Sequence, residues 1–290
     1  MILIAGGTGT LGRPLVDALR SESGGIRVLT RDHAAAAALR AAGIDSVVGD
    51  VRDPAARAAA VAGCETVVSA VHGFLGGRGA GPEAIDRDAN ASLIGAAAAA
   101  GIARFVLLSA YGASPTHPMI LHRMKYAAEE VLLASDLRGT IVRPTAYLET
   151  WIDVIGARTP GRGAIVLGKG ENPINFVSVD DVVTAILDAV RSAANNRMVD
   201  VIGPENLSFS EIAERLAARS TPPGAIAHVP LAMLRAMSLL AGPISPAFAR
   251  RAKTAVVMNT EDMTVDVRRA RPGATTIDDV LARRDADRVR

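Results

Sequence analysis

The sequence predicts an α/β protein with a doubly wound parallel sheet. Apolar, strand-like runs alternate with helical stretches through the first half of the chain, which is typical of parallel sheets. The first run leads directly into the glycine-rich turn GGTGTLG. The 290 residues suffice for one such domain, expected over 1–150 and completed by 174–202. They also allow a smaller, mainly helical substrate-side domain over 203–290 with the loop 151–173.

The expected elements follow from short β-rich runs separated by alanine-rich helical stretches. After the first strand, the predicted strands are IRVLT, SVVGD, TVVSA, RFVLLS and TIVRP. Helices are expected between them at 33–42, 54–62, 83–100 and 117–134. The second half adds a strand and helix within 174–192, a strand at 198–202, and helices at 208–219, 230–240 and 244–258. Open α/β sheets bind ligands beyond the carboxyl ends of their strands, so we expect the site there.

The glycine-rich turn predicts a Rossmann-type site for a nicotinamide dinucleotide. Gly6 allows a sharp turn off the strand, Gly9 allows the backbone to approach a pyrophosphate, and Gly12 allows close packing of the following helix. The phosphates are then expected at a helix N-terminus. The residues between these glycines complete the predicted cofactor turn: Thr8, Thr10 and Leu11.

The end of the second strand carries the signal for the choice of cofactor. A carboxylate there would accept hydrogen bonds from the ribose of NAD, whereas Arg31 can pair with the 2′-phosphate of NADP. We therefore predict a preference for NADP(H), with NAD(H) as a possible cofactor. The alternative is a solvated arginine beside Asp32, which has the character of a helix N-cap. Further cofactor contacts are expected from Asp50, near the adenine, and from Val51, Ala70 and Pro144.

Composition excludes several other functions. The net charge is only +2 and the arginines are interleaved with acidic residues, so no basic stripe for nucleic acid is present. Cys64 is the single cysteine, which rules out an intrachain disulfide and a cysteine-based metal site. Without a recognisable signal peptide, the expected location is the cytoplasm, and the expected partner is a small-molecule substrate.

Several motifs together resemble the NmrA-like group of atypical short-chain dehydrogenases/reductases. These are GGTGTLG, VLTRD, VVGDVRDP, RFVLLSAYGA, IVRPTAYLET, FVSVDDVV and IGPENLSFSEIA. Their order and spacing extend over most of the chain, and the resemblance thins after about residue 220. It implies a Rossmann fold that binds NADP(H) at the switch point of the sheet, but it does not imply one reaction.

The same resemblance implies catalytic positions. In the wider superfamily a serine, a tyrosine and a lysine four residues later act on the substrate oxygen and the cofactor ribose. Ser109 and Lys125 match the serine and the lysine, but Leu121 stands in place of the tyrosine. His122 shares a helix face with Lys125 and is the candidate substitute proton donor, although a plain polar residue at a helix start is the alternative. Tyr111 and Tyr147 are also expected near the nicotinamide and remain open as substitutes.

Two acidic residues in FVSVDDVV have the composition of a metal-ligating pair. Asp180 and Asp181 also stand where a helix is expected to begin, and carboxylates are favoured in the first helical turn. We therefore interpret them as helix-terminal residues and predict no metal site.

The most apolar segment of the chain is HVPLAMLRAMSLLAGPISPAF. It is too short and too interrupted to cross a bilayer of about 30 Å. The favoured interpretation is a core helix or the wall of an apolar substrate pocket, and contact with a membrane surface is the less favoured one.

Two functional classes remain open. The leading hypothesis is an oxidoreductase that transfers hydride from NADPH to a small, largely apolar carbonyl, quinone or enone. The alternative is a non-catalytic NADP(H)-binding redox sensor or regulatory protein of the NmrA-like type. The missing tyrosine favours the second class, whereas Ser109, Lys125 and the apolar segment favour the first.

Overall fold

The computed structural model describes residues 1–20, 25–156, 163–192, 197–219, 225–268 and 273–289. Its contacts divide the chain into two compact units. The first contains Met1–Arg143 with Val182–Asp200, and the second contains Pro144–Asp181 with Val201–Arg290.

The first unit alternates strands and helices in the predicted order. Its strands are β1 (Ile2–Ala5), β2 (Ile26–Thr30), β3 (Asp45–Val48), β4 (Thr66–Ser69), β5 (Arg104–Leu108), β6 (Arg138–Pro144) and β10 (Arg197–Val201). Its helices are α1 (Gly12–Leu19), α2 (His33–Ala41), α3 (Pro54–Val61), α4 (Asn90–Ala99), α5 (Ile120–Leu133) and α7 (Val179–Arg191). A π-helix at Glu83–Ala89 precedes α4 directly.

These strands form one seven-stranded sheet in the order β10-β6-β5-β4-β1-β2-β3. The pairings of β1 with β2 and β4, of β2 with β3, and of β5 with β4 and β6 are all parallel. β1 and β4 are buried along their whole length, as expected for strands covered by helices on both faces. The predicted doubly wound α/β fold is therefore confirmed.

Local sequence signals explain where the helices begin. The side chain of Asp32 accepts hydrogen bonds from the first turn of α2, and Asp53 does the same for α3, which starts with Pro54. Helix α5 begins at Ile120, later than the predicted 117. The cause is Pro118, which disfavours a helical conformation of the residue before it.

Buried residues from sheet and helices form one core in the first unit. Fully buried members include Leu3, Phe105 and Leu107 from the strands and Leu93 and Leu132 from the helices. The alanine-rich helices contribute small side chains to the same core, so they can pack closely on the sheet.

The second unit has small sheets and a helical majority. Strands β7 (Ala146–Tyr147), β9 (Ile174–Val177) and β11 (Glu205–Leu207) form one sheet, and β8 (Ile165–Leu167) pairs with β12 (Ala227–Val229). The helices are α6 (Leu148–Ile155), α8 (Phe209–Ala218), α9 (Leu231–Leu240), α10 (Pro246–Thr260) and α11 (Ile277–Val289). The loop expected at 151–173 thus contains part of α6 and all of β8, and its residues 157–162 lie outside the described part.

Strand β9 differs from the expectation that 174–202 completes the large sheet. It pairs with β7 and β11 in the small sheet, and its Asn175 side chain accepts a hydrogen bond from the backbone N–H of Gly203 at 2.8 Å. The same amide donates to the Gly203 carbonyl at 3.0 Å. These long-range bonds leave no local trace in the sequence.

The two aspartates of FVSVDDVV lie in the first turn of α7, as predicted. Both oxygens of the Glu149 carboxylate accept the Val179 N–H that opens this helix, and Asp181 accepts hydrogen bonds from Thr275. The helix start is therefore satisfied by a residue from α6, which the sequence did not indicate.

The apolar segment predicted to be a core or pocket helix is mostly exposed. It forms the hairpin of α9 and α10, and Leu234 is the buried residue of α9. Leu239 and Leu240, at the end of α9, are 79% and 75% exposed, and Ile244 in the connecting turn is 88% exposed. The interpretation as a core helix was therefore wrong for these side chains. No helix in the described residues is long and apolar enough to cross a membrane.

Candidate functional site

The glycine-rich turn leaves no room for side chains at three of its positions. Gly6 has φ +91°, and a Cβ there would lie 2.8 Å from the backbone of Ala70. A Cβ at Gly12 would lie 2.1 Å from the carbonyl oxygen of Gly6. Gly12 thus packs against the turn itself, whereas Gly7 approaches the strand: its Cβ would lie 2.8 Å from Val28 on β2. The close packing expected at Gly12 is therefore a contact between the start of α1 and the turn after β1.

The outer side of the turn is open. Gly9 and Thr10 are exposed, and Thr8 is half-buried with its carbonyl accepting a bond from Arg13 at 3.2 Å. Leu11 stands at the start of α1 without a side-chain cap, and the described first turn of that helix has no acidic residue. An uncapped helix start next to a small-residue turn suits a phosphate group.

Two arginines and one carboxylate meet beyond β2 and β3. Arg52 hydrogen-bonds both oxygens of Asp50, at 2.9 and 2.7 Å, and Arg31 Nη1 lies 3.8 Å from Asp50 Oδ2. The Arg52 hydrogen bonds hold the pKa of Asp50 at about 2, below its usual 3.8. The ionised Asp50 neutralises one of the two cations, so the group of Arg31, Arg52 and Asp50 keeps one net positive charge. The sequence analysis had not identified Arg52.

The remaining expected cofactor residues lie at strand ends. Val51 is buried after β3, and Ala70 follows β4 with its N–H donating to Ala5 on β1 at 2.8 Å. Pro144 ends β6 and is buried, and it is the first residue of the second unit.

Lys125 is buried among protein partners rather than free. Its Nζ donates to the carbonyl oxygens of Leu108, at 2.8 Å, and Val71, at 3.0 Å. The same Nζ lies 3.0 Å from Oδ1 of Asp86, an ion pair in which both side chains are buried. The ammonium thus joins α5 to the π-helix and to the carboxyl ends of β4 and β5. Its expected role as a ribose ligand would require it to exchange one of these partners.

The π-helix supplies the acidic partner. Asp86 is buried there, and its Oδ2 accepts the N–H of Gly73 at 2.8 Å. Asn90 donates to the Asp86 carbonyl and accepts from Ser69 on β4. π-turns are frequent at functional sites. Asp86 is not among the residues predicted from the sequence, although it lies in the polar run DRDAN on a helix that must face the sheet.

Two polar atoms of the predicted catalytic set are buried without a hydrogen-bond partner among the described residues. These are Oγ of Ser109, just after β5, and Nδ1 of His122 on α5. A buried polar group without a partner is destabilising, so such groups point to a ligand or to bound water. Leu121, at the position of the missing tyrosine, is half-buried.

The environment of His122 keeps its imidazole neutral. Its ring stacks on His117 with centroids 4.0 Å apart. Burial, together with the charges of His117 and Lys125, lowers the pKa of His122 to about 3. This environment disfavours protonation of His122 near pH 7, and its role as the substitute proton donor stays a prediction.

The first prediction concerns the buried ion pair. Lys125→Met or Asp86→Asn should each lower the free energy of unfolding by about 3–5 kcal/mol, because each leaves a buried charge without its partner. Urea denaturation measures this change. The matched control is Asp88→Asn in the same π-helix, which breaks an exposed pair with Arg87 and should cost at most about 1 kcal/mol. Equal losses for Asp86→Asn and Asp88→Asn would contradict the structural role of the pair.

The second prediction concerns pH. Because the folded-state pKa of His122 lies near 3 and its ordinary value is 6.5, the unfolded chain takes up a proton first as the pH falls. Stability from this group is therefore complete above about pH 6.5 and declines below it by up to about 1.4 kcal/mol per pH unit. His122→Gln should flatten the curve of unfolding free energy against pH between 6.5 and 4, on that same basis.

The control for this measurement is His33→Gln, at an exposed position on α2. It should leave the pH dependence as in the parent protein. Indistinguishable curves for the parent and His122→Gln would show that His122 is not held neutral by the fold.

Comparisons with known proteins agree with this geometry. An NAD(P)H-binding family model matches residues 6–193. The NAD(P)H azoreductase of Xenophilus azovorans is 27% identical over 244 residues, 83% of this chain and 81% of that protein. Photosystem II assembly factor Ycf39 of Cyanophora paradoxa is 25% identical over 80% of this chain and 73% of its own length.

The NADPH complex of the Escherichia coli quinone oxidoreductase QOR2 has a similar fold, with a TM-score of 0.77 at 22% identity over 98% of this chain and all of that one. The predicted Rossmann-type dinucleotide-binding fold is thus confirmed, and the chain belongs to the NAD(P)H-binding family.

Proposed function

We propose that the protein is an NADPH-dependent reductase of small conjugated acceptors such as quinones, enones or azo compounds. The observation that carries the proposal is the pairing of an open dinucleotide turn with a predicted catalytic set that lacks the tyrosine. Among the described residues, Leu121 replaces the tyrosine and His122 is held neutral.

The proton supply decides between classes of acceptor. A bound NADPH would supply a hydride. Reduction of an isolated ketone places the resulting charge on a single oxygen, which needs a general acid close by. A conjugated acceptor spreads that charge over many atoms, so a hydrogen bond stabilises the anion during hydride transfer and the anion then takes its proton from water. The chain therefore suits the conjugated class better than simple ketones.

Ser109 is the residue proposed to contact the acceptor. Its hydroxyl is buried, lacks a partner among the described residues, and follows β5 at the carboxyl edge of the sheet. A hydroxyl there can donate to an oxygen or nitrogen atom of the acceptor as charge develops. Lys125 is a positioning residue in this proposal, because it holds the ends of β4 and β5 through the carbonyls of Val71 and Leu108.

The related proteins support a reductase. One relative is named an NAD(P)H azoreductase and one structural neighbour an NADPH-dependent quinone oxidoreductase, and both substrates are conjugated. Other relatives are named as assembly factors, which is consistent with the non-catalytic alternative. The Ser109 hydroxyl, which has no partner among the described residues, favours the catalytic proposal, because it can donate to an acceptor bound beside the cofactor.

The third prediction tests the reaction. NADPH oxidation should be measured with a quinone, an azo dye and an enone, with a saturated ketone as the comparison substrate. At least one conjugated acceptor should turn over, and the ketone should not. Ser109→Ala should lower kcat about tenfold, the equivalent of one hydrogen bond of about 1.4 kcal/mol.

The matched control is Ser92→Ala, at an exposed position on α4, which should leave kcat unchanged. Turnover of the ketone alone, or equal kcat for Ser109→Ala and the parent, would overturn the assignment of Ser109. Tight NADPH binding without turnover of any acceptor would favour the regulatory alternative.

We also propose that Arg31 and Arg52 favour NADP(H) over NAD(H). The Arg31 side chain is 68% exposed and only loosely paired with Asp50, so it is available to a 2′-phosphate. Arg52 is fixed by two hydrogen bonds to the same carboxylate and adds positive potential.

The fourth prediction concerns the contact of Arg31 with the 2′-phosphate. Arg31→Ala should weaken NADPH binding about 10- to 100-fold, the range for a hydrogen bond between charged groups, and leave NADH binding nearly unchanged. Fluorescence titration with both cofactors measures the two dissociation constants. Arg20→Ala, at the exposed end of α1, is the control and should alter neither. Equal weakening of NADPH and NADH would exclude a 2′-phosphate contact.

A further inference from the structure

The hairpin of α9 and α10 carries an apolar tip that the proposed reductase function does not use. We define the apolar tip as Leu239, Leu240, Ile244 and Phe248, the exposed large side chains around the turn. They fall within the end of α9, the connecting turn and the first turn of α10. Large apolar side chains clustered at one exposed end are unusual on a soluble surface and mark an interaction site.

The base of the hairpin is anchored in the protein. Helix α10 buries Ala249, Ala252, Ala255 and Met258, and Met258 belongs to the core of the second unit. The side chain of Ser245 accepts the N–H of Phe248 and so caps this helix. The tip is therefore held by an ordered helix pair, and its exposure does not come from a frayed end.

The charged residues of the hairpin indicate the chemistry of its partner. Residues 231–260 contain four cations, Arg235, Arg250, Arg251 and Lys253, and no carboxylate. The nearest acidic residues along the chain are Glu214 and Glu261. Basic residues beside exposed apolar ones are typical of segments that lie on anionic lipid.

The spacing of charges along both helices matches a lipid interface. Arg235 precedes Leu239 by one helical turn, and Arg251 follows Phe248 by about one turn, which places both cations roughly 5 Å from the tip along the helix axes. Both side chains are exposed. Apolar faces of surface-bound helices enter the interface by about 5–10 Å, so this spacing brings the guanidinium groups to headgroup level.

A second copy of the chain is the competing occupant of the tip. A twofold interface brings the same surface of both copies together. Here it would oppose the cations of one hairpin to those of the other without carboxylates to neutralise them. Charge therefore favours an anionic lipid surface over self-association.

We propose that the α9–α10 hairpin is a docking site for anionic membrane surfaces. The apolar tip enters the interfacial layer, and Arg235, Arg251 and Lys253 bind lipid headgroups. The contact is peripheral and reversible. It stands apart from the proposed reductase activity, because it can be measured without turnover.

The fifth prediction tests docking by flotation of the full chain with vesicles. The protein should float with mixed phosphatidylcholine–phosphatidylglycerol vesicles, bind pure phosphatidylcholine much less, and lose binding at high salt. Leu239→Ser/Leu240→Ser/Ile244→Ser should weaken vesicle binding at least about tenfold, and so should Arg251→Glu/Lys253→Glu. All these positions are exposed, and thermal unfolding should confirm that both variants fold like the parent.

The matched control is Met198→Ser, an exposed apolar residue on β10 in the other unit, which should bind vesicles like the parent. Three outcomes would overturn the proposal: no binding of the parent to anionic vesicles, equal loss in the Met198→Ser control, or insensitivity to both hairpin variants. A parent protein that ignores vesicles but forms a dimer abolished by the serine substitutions would assign the tip to a second copy instead.

Discussion

The contact of the Lys125 ammonium with Asp86 is the interaction on which the predicted active-site edge depends. Burying two charges costs several kcal/mol per ion. Their attraction offsets this cost only when further hydrogen bonds satisfy the remaining donors and acceptors. Here the ammonium donates to the carbonyls of Leu108 and Val71 and lies 3.0 Å from Oδ1 of Asp86, while the other carboxylate oxygen accepts the N–H of Gly73. Four separate chain segments therefore meet at one charge pair. The ends of β4 and β5 are fixed because a movement of either would remove a hydrogen-bond acceptor from the buried ammonium.

This pair also explains the unusual helix that precedes α4. A π-turn changes the direction of the side chains on a helix, and Asp86 lies within the π-turn of Glu83–Ala89. Asn90 then binds the Asp86 carbonyl and the hydroxyl of Ser69, so the irregular turn keeps its backbone groups satisfied. Lys125 is thus part of a buried network, while Ser109, next to Leu108 in sequence, has a hydroxyl without a hydrogen-bond partner among the described residues.

The sequence could predict what local chemistry determines. The parallel sheet, the caps at Asp32 and Asp53 and the sharp turn at Gly6 all follow from short segments. It could not predict Asp86 as the partner of Lys125, because the two residues are 39 positions apart and their meeting depends on the packing of two helices. The same reason applies to Asn175, whose bonds to Gly203 place β9 in the small sheet. Arg52 was not predicted either, although it lies only two residues after Asp50, the carboxylate that it binds.

The apolar hairpin shows a different kind of limit. Hydropathy measures how favourable it is to transfer a segment out of water. A protein core, a substrate pocket and a lipid interface all remove apolar side chains from water, so hydropathy does not distinguish between them. The favoured interpretation of a core helix failed because Leu239, Leu240 and Ile244 lie around a turn, where a helix end has little neighbouring surface to cover it. Charge carries the missing information. A segment bound for the core has no reason to exclude carboxylates over 30 residues while keeping four cations. A segment that meets anionic headgroups has that reason, because each carboxylate there would be repelled.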